Sequence, residues 1–194
     1  MFMKILLILI GVVMLAVILN AGCAAVRGGY ESAPYRVIRA DGKIELRDYP
    51  SLIVVEAPMR GANDSFMQLF RYIGGQNATK AKIAMTTPVF MAGDPTNATM
   101  SFVMPKNMSL DQTPKPAAAN LQVRKIPSGT FAVLRFSGGR NAVNESESLT
   151  RLQAWLARQS LKTAGGPIYG YFDPPWTPSF LRRNEVMLRI DSTR

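Results

Sequence analysis

From residue 35 onward, apolar and polar positions alternate in short runs, the period of half-buried strands, and two longer stretches of helical period interrupt them. Strands are predicted over 35–38, 44–49 and 52–57. Asp41-Gly42 between the first two predicts a hairpin, because glycine supplies the positive φ of a tight turn. The first helical stretch opens near Asn63 or Asp64, either of which can cap it by accepting a backbone hydrogen bond, and stops at Gly74-Gly75. Within it Phe66, Leu69, Phe70 and Ile73 recur at i, i+3, i+4 and i+7, an apolar stripe that must be buried or occupied. A buried strand is expected over 82–89, a turn over 94–98 and a further strand over 100–104, stopped by Pro105.

The second half repeats this order. Runs at 121–126 and 130–136 flank Pro127-Ser128-Gly129, and a second helix is expected over 145–161, with Leu149, Leu152, Trp155 and Leu156 on its apolar side. Ala164-Gly165-Gly166 reads as its stop, and 168–172 and 185–190 as the strands matching 83–89 and 100–104. Residues 111–120, with Pro114 and Pro116, form a loop that cannot pair regularly. The chain therefore reads as α+β, two strand-strand-helix-strand-strand repeats. Such units can join their sheets into one core, here expected as a distorted β-barrel flanked by the two helices.

The first residues follow a different pattern. A short basic start, an unbroken apolar run over 5–19 and Asn20-Ala21-Gly22-Cys23 have a secretory signal layout. The small residues before Cys23 resemble a bacterial lipobox, with Asn20 where that pattern prefers leucine. The expected division is a signal peptide over 1–22, an acylated Cys23 and tether over 23–33, and one domain over 34–194. An uncleaved membrane anchor is the competing reading. Either places the domain at a membrane of the bacterial envelope, outside the cytoplasm and periplasmic.

Composition narrows the chemistry. The chain has 23 basic and 13 acidic residues, a net charge of +10, but these are dispersed without a basic helix or stacking platform, which argues against nucleic acid. It has no histidine and one cysteine, so neither a histidine-based catalytic triad nor a two-histidine metal site can be built. Glu145 and Glu147 read as acids at a helix start, favoured by the helix dipole, not as catalysts. The chain is expected not to be an enzyme.

Five blocks in order then carry a family resemblance. They are Tyr-Arg-Val-Ile at 35–38, Ile-Glu-Leu-Arg-Asp-Tyr at 44–49, Tyr-Ile-Gly-Gly-Gln-Asn with Lys-Ile-Ala-Met-Thr-Thr-Pro-Val at 72–89, Ser-Phe-Val-Met-Pro at 101–105, and Tyr-Phe-Asp-Pro-Pro-Trp at 171–176 with Arg-Arg-Asn-Glu-Val at 182–186. Together they resemble the SOUL haem-binding proteins across residues 34–190. The resemblance implies a ligand groove between the first helix and the loop before the last strand. By position the helix contributes Phe66, Phe70 and Arg71, and the loop contributes Trp176, Pro178 and Phe180. Aromatic walls suit a flat tetrapyrrole, and Arg71, with Lys80 or Lys82 behind it, suits propionates.

Haem or a related porphyrin is thus the expected partner, as bound ligand and not as catalytic cofactor. Methionine or tyrosine can coordinate iron in principle, but Met67 and Met85 read first as core filling. The expected mode is largely hydrophobic, without a histidine ligand and with no strong axial bond. Two alternatives stand beside it: an enzyme that removes the metal from tetrapyrroles, and an envelope interaction protein using the same fold. No feature identifies a protein partner.

Overall fold

The computed structural model describes residues 29–59, 61–94 and 96–191. In chain order its elements are β1 (Glu31–Ser32), β2 (Arg36–Asp41), β3 (Ile44–Tyr49), β4 (Leu52–Pro58), α1 (Ala62–Ile73), β5 (Thr86–Thr87), β6 (Val89–Ala92), β7 (Thr99–Val103), β8 (Gln122–Ile126), β9 (Gly129–Phe136), α2 (Ala142–Arg158), β10 (Thr163–Tyr171), a 3-10 turn (Ser179–Leu181) and β11 (Asn184–Ile190). The expected signal sequence, Cys23 and most of the tether lie outside the described residues. No described helix is long and apolar enough to cross a membrane.

The hairpin forms as expected, with Gly42 at φ 59° turning β2 into β3. Helix α1 ends at Gly74-Gly75, and Gly75 adopts φ 108°. Its start differs: Gly61 is the N-cap, no side chain caps it, and Asn63 and Asp64 lie inside the first turn. Ser65 Oγ instead donates toward the carbonyls of Gly61 and Pro58, both at 3.0 Å. The strand expected over 82–89 reduces to β5 and β6. Pro88, which has no N–H to donate, separates them, so β5 pairs with β1 while β6 pairs with β7 and β10.

Helix α2 begins earlier than expected, because Asn141 Oδ1 accepts the Asn144 N–H at 2.9 Å. It also ends earlier, at Arg158, so Ala164-Gly165-Gly166 is not its stop. Those residues lie inside β10, where the register shifts between Ala164 and Ile168 and Gly165 takes φ 79°.

Nine strands form one sheet in the order β2-β3-β9-β11-β10-β6-β7-β4-β8, antiparallel throughout, and β1 and β5 form a separate parallel pair. The expected repeats are β3-β4-α1-β6-β7 and β8-β9-α2-β10-β11, but they exchange their first strands: β3 pairs with β9, and β8 with β4. Pro50-Ser51 and Pro127-Ser128 make these crossings.

The expected barrel is not formed. The sheet neither closes nor curls strongly, and its edges, β2 and β8, stay apart. Alternation marks which face of a strand is buried but not whether the first and last strands meet. Here both edges resist pairing: β2 is exposed along its whole length and bulged at Ile38, and β8 carries Arg124 and Lys125.

Both helices lie on one face. Leu69, Tyr72 and Ile73 of α1 pack on Val55, Ala57, Met100 and Phe102, with Val89 and Met91 at the margin. Leu152, Trp155 and Leu156 of α2 pack on Ala132, Leu134, Val186 and Leu188, with Tyr169 at the margin. Met91 and Tyr169 are paired neighbours on the central strands, which places the two helical layers side by side over the β6–β10 seam. The opposite face buries Tyr49, Leu52, Val54, Phe90, Val103, Phe131, Val133 and Met187, drawn from both halves.

That second face also holds a buried ion network. Arg47 of β3 donates to both carboxylate oxygens of Glu185 of β11, at 2.7 and 3.0 Å. Arg183 donates to the same carboxylate at 2.7 and 3.0 Å, and Arg47 reaches Glu45 at 2.6 Å. Glu185 is 1% exposed, so removing its charge takes from Arg47 and Arg183 the buried carboxylate they share. Glu185→Gln is expected to lower unfolding free energy by about 3–5 kcal/mol, read as a reduced urea midpoint at unchanged slope.

Glu56 forms a smaller network, accepting from Arg124 at 2.6 Å, Ser101 at 3.0 Å and Thr99 at 3.2 Å. Burial alone would raise its pKa, but these bonds outweigh burial and hold it below the usual 4.5. A carboxylate with a depressed folded pKa stabilises above the unfolded value and loses that contribution as pH falls through the folded one. Below pH 4.5 the stability of Glu56→Gln should therefore fall less steeply than that of the wild type, as measured by thermal melts across an acid series.

Candidate functional site

The Tyr-Ile-Gly-Gly-Gln-Asn block that ends α1 is a folding device. Tyr72 is fully buried and donates to the Pro114 carbonyl at 2.6 Å, and burial pushes its phenol up to about 12. Asn77 organises the turn that follows. Its Nδ2 donates to the carbonyls of Tyr72 and Ala81 at 2.9 and 2.7 Å, while its Oδ1 accepts from the Thr79 and Ala81 N–H groups at 3.3 and 3.2 Å. The Met-Thr-Thr block is also structural, since Thr86 Oγ1 donates to the Val103 carbonyl at 2.6 Å.

The residues around this block remain outside. Only part of the expected apolar stripe is buried: Leu69 and Ile73 enter the core, Phe66 is half-buried, and Phe70 is 47% exposed. Phe66 and Phe70 stack with centroids 6.0 Å apart at 14°, and Phe66 meets Phe102 edge-on at 5.2 Å. Arg71, Lys80 and Lys82 are exposed. Met67 is 43% exposed on the outer side of α1 and Met85 is half-buried.

The loop between β10 and β11 is held from within. Thr177 N donates to the Pro174 carbonyl, Leu181 N to that of Pro178, and Arg182 to those of Thr177 and Pro175. Asp173 accepts from Arg183 N at 2.5 Å, and the Arg183 guanidinium lies 3.9 Å from the centre of the Phe172 ring. Gly138 N fastens the loop to the start of α2 through Ser179 O at 2.9 Å. On this frame Trp176 is 80% and Phe180 74% exposed, and Pro178 is exposed beside them. Among the described residues no ring contact or hydrogen bond joins Phe66, Phe70 or Arg71 to Trp176, Pro178 or Phe180. Each set presents uncovered aromatic surface, and the two are brought to the same end of the sheet, where α1 finishes, β6 begins and β10 ends.

The end of β10 and the start of α2 also form a pair not anticipated from sequence. Tyr171, the last residue of β10, pairs with Val89 of β6 and so faces the helices. Its hydroxyl donates to Glu145 Oε1 in the first turn of α2 at 2.5 Å, and Arg140 stands 4.0 Å from that carboxylate and 5.8 Å from the Tyr171 ring centre. Burial first, and then the Glu145 carboxylate, hold the Tyr171 phenol above its ordinary range. Tyr169 donates to the Glu145 carbonyl at 3.3 Å. Glu145 was recognisable only as a helix-start acid, and the 26 residues separating it from Tyr171 leave no local signal of their pairing.

A separate open depression of about 500 Å³ lies on the other side, lined by Tyr35, Arg36, Asp48, Tyr49, Ser128 and Gly129 among others. No group of three His, Cys, Asp or Glu side chains suited to a metal ion occurs among the described residues.

Comparison with solved structures relates the fold to proteins of distant sequence. The crystal structure of the EcmrR C-terminal domain matches at TM-score 0.57 and 14% identity, over 82% of this chain and 99% of that one. A hydrolase encoded by lin2189 from Listeria innocua matches at TM-score 0.58 and 9% identity, over 79% and 94%. At such identities these likenesses speak to fold alone. Comparison with curated proteins gives no match. The family model described as SOUL heme-binding protein, however, matches residues 30–189, which takes in both repeats, both exposed aromatic sets and the Tyr171–Glu145 pair. The chain belongs to the SOUL heme-binding protein family.

Proposed function

We propose that this protein holds haem or a related porphyrin at the end of the sheet where α1 meets the β10–β11 loop, as a carrier or buffer and not as an enzyme. The observation that carries the reading is the exposure of Phe70, Trp176 and Phe180 in a member of this family, on elements whose backbones are otherwise well fastened. Exposed apolar side chains that group together, as Phe66 with Phe70 and Trp176 with Pro178 and Phe180 on one loop, mark binding surfaces where single ones do not. Burying about 300 Å² of macrocycle at roughly 25 cal/mol per Å² gives on the order of 7 kcal/mol before association costs. Exposed cations such as Arg71 add about 0–1 kcal/mol each, so the walls set the affinity and the cations set orientation.

The N-terminal region supplies the second half of the proposal. An acylated Cys23 would hold the domain at the bacterial envelope, on the periplasmic side, where it can receive or pass on a poorly soluble ligand. Cys23→Ser should abolish labelling by a fatty-acid analogue and move the protein out of the membrane fraction. Membrane retention without labelling would make the apolar run itself the anchor.

The binding reading is tested by titrating the untagged full chain in lipid nanodiscs with hemin and with metal-free protoporphyrin, using empty nanodiscs as reference. A histidine tag must be absent, since it would add the ligand type this chain lacks. Saturable binding of both compounds is expected. Phe70→Ala and Trp176→Ala should each weaken it about tenfold or more, the equivalent of roughly 1.5–3 kcal/mol of lost side-chain burial. Binding unchanged in both variants would remove this site from consideration.

A further inference from the structure

We propose that the β10–β11 loop seats Trp176 and Phe180 in the lipid–water interface of the membrane to which the chain is anchored. This rests on the acylated Cys23 of the proposed function and not on the porphyrin.

The loop is chemically suited to leave water. Trp176 and Phe180 are 80% and 74% exposed, the most exposed aromatic rings among the described residues. Residues 174–184 hold three prolines and two arginines and no acid. Exposed tryptophan and phenylalanine beside arginine is the composition of interfacial segments, whose rings settle at headgroup level while the cations meet lipid phosphates. Backbone polarity is the usual obstacle, because an irregular segment carries N–H and C=O groups that lose water on entry. Here much of it is met from within. Pro174, Pro175 and Pro178 have no N–H. The N–H groups of Thr177, Leu181 and Arg182 bond the carbonyls of Pro174, Pro178 and Ser179 at 3.0, 2.9 and 3.2 Å, and that of Arg183 bonds Asp173. The Arg182 guanidinium takes up the carbonyls of Thr177 and Pro175.

An independent observation names the occupant. The chain enters the folded domain beside this loop: Glu31 and Ser32 pair with Thr86 and Thr87, and Ala33 N donates to the Thr87 carbonyl at 2.8 Å. Two residues further on, Val89 pairs with Tyr171, where β10 ends and the loop begins. The Tyr35 hydroxyl accepts from Arg183, at the close of the loop, at 3.4 Å. Glu31 follows Cys23 by eight residues. At about 3.6 Å each when fully extended they reach at most roughly 29 Å, less than the roughly 40 Å across a compact domain of this size. A lipid on Cys23 therefore holds the entry point, and the loop beside it, toward the membrane. A porphyrin dissolved in that lipid would meet Trp176 and Phe180 without crossing water.

The two tryptophans of the chain make the proposal readable, because Trp155 is 4% exposed and Trp176 stands open. The untagged full chain is placed in nanodiscs of phosphatidylethanolamine and phosphatidylglycerol with brominated acyl chains, with unbrominated discs as reference and no porphyrin added. Bromine quenches indole only near contact. The Trp176 emission, taken as the difference between wild type and Trp176→Phe, should be blue-shifted from that of indole in water and mostly lost in the brominated discs. The Trp155 emission that remains in Trp176→Phe should be equal in both, which also reports that the variant folds. Phe180→Trp, added to Trp176→Phe, should restore a quenchable emission. Unquenched Trp176 emission, at the wavelength of an indole in water, from discs that hold the chain would overturn the proposal and leave the anchoring and porphyrin readings intact. Absence of the chain from the discs would overturn the anchoring reading and the proposal together.

Discussion

The exchange of first strands between the two repeats is the constraint on which the structure depends. Had β3 stayed with β4, and β8 with β9, each repeat would be a small sheet with one helix, and the two would touch only along the four residue pairs of β6 and β10. With the strands exchanged, β3 completes the second repeat and β8 the first, so neither half is finished without the other. A half of about eighty residues has little core of its own, and the exchange lets both share one. The buried Arg47–Glu185 pair lies on this construction, because Arg47 arrives with the exchanged β3 and Glu185 belongs to the repeat that receives it. Polar groups in such a place specify which strand may enter: a register slip of one residue would turn Arg47 to the helical face and take its bidentate bond from Glu185.

The same symmetry shapes the end of the sheet proposed for the ligand. Because the repeats meet antiparallel through their central strands, both helices fall on one face, with the seam at the boundary between their two layers. Half-buried Val89, Met91, Tyr169 and Tyr171 mark that seam. One end of it receives the C-terminal end of α1, the first turn of α2 and the β10–β11 loop.

Much of this was legible in the chain. β3 could be read directly from alternation, and the stop of α1 from Gly74-Gly75, because both signals are local. The duplication was legible as element order, though not the exchange, since a crossing through Pro50-Ser51 looks in sequence like any short connection. Barrel closure was misjudged for the same reason: whether β2 meets β8 depends on twist and on edge chemistry, not on the pattern within a strand. The capping of α1 was misread because Asn63 and Asp64 carry good capping chemistry, but Gly61 already takes the non-helical conformation one residue before Ala62. The resemblance itself rested on Tyr72, Asn77 and Thr86, all three now seen to fasten backbone. The motif therefore identified the fold through residues that build it, while the exposed aromatics stand around it.

Aromatic walls see only area and shape, so at the proposed site Phe70, Trp176 and Phe180 would hold a porphyrin with or without iron. What the fold adds is order. Asp173, Arg182 and the Ser179 carbonyl fasten the β10–β11 loop from within and to the start of α2, so the rings of Trp176 and Phe180 are presented without the entropic cost of ordering the segment that carries them.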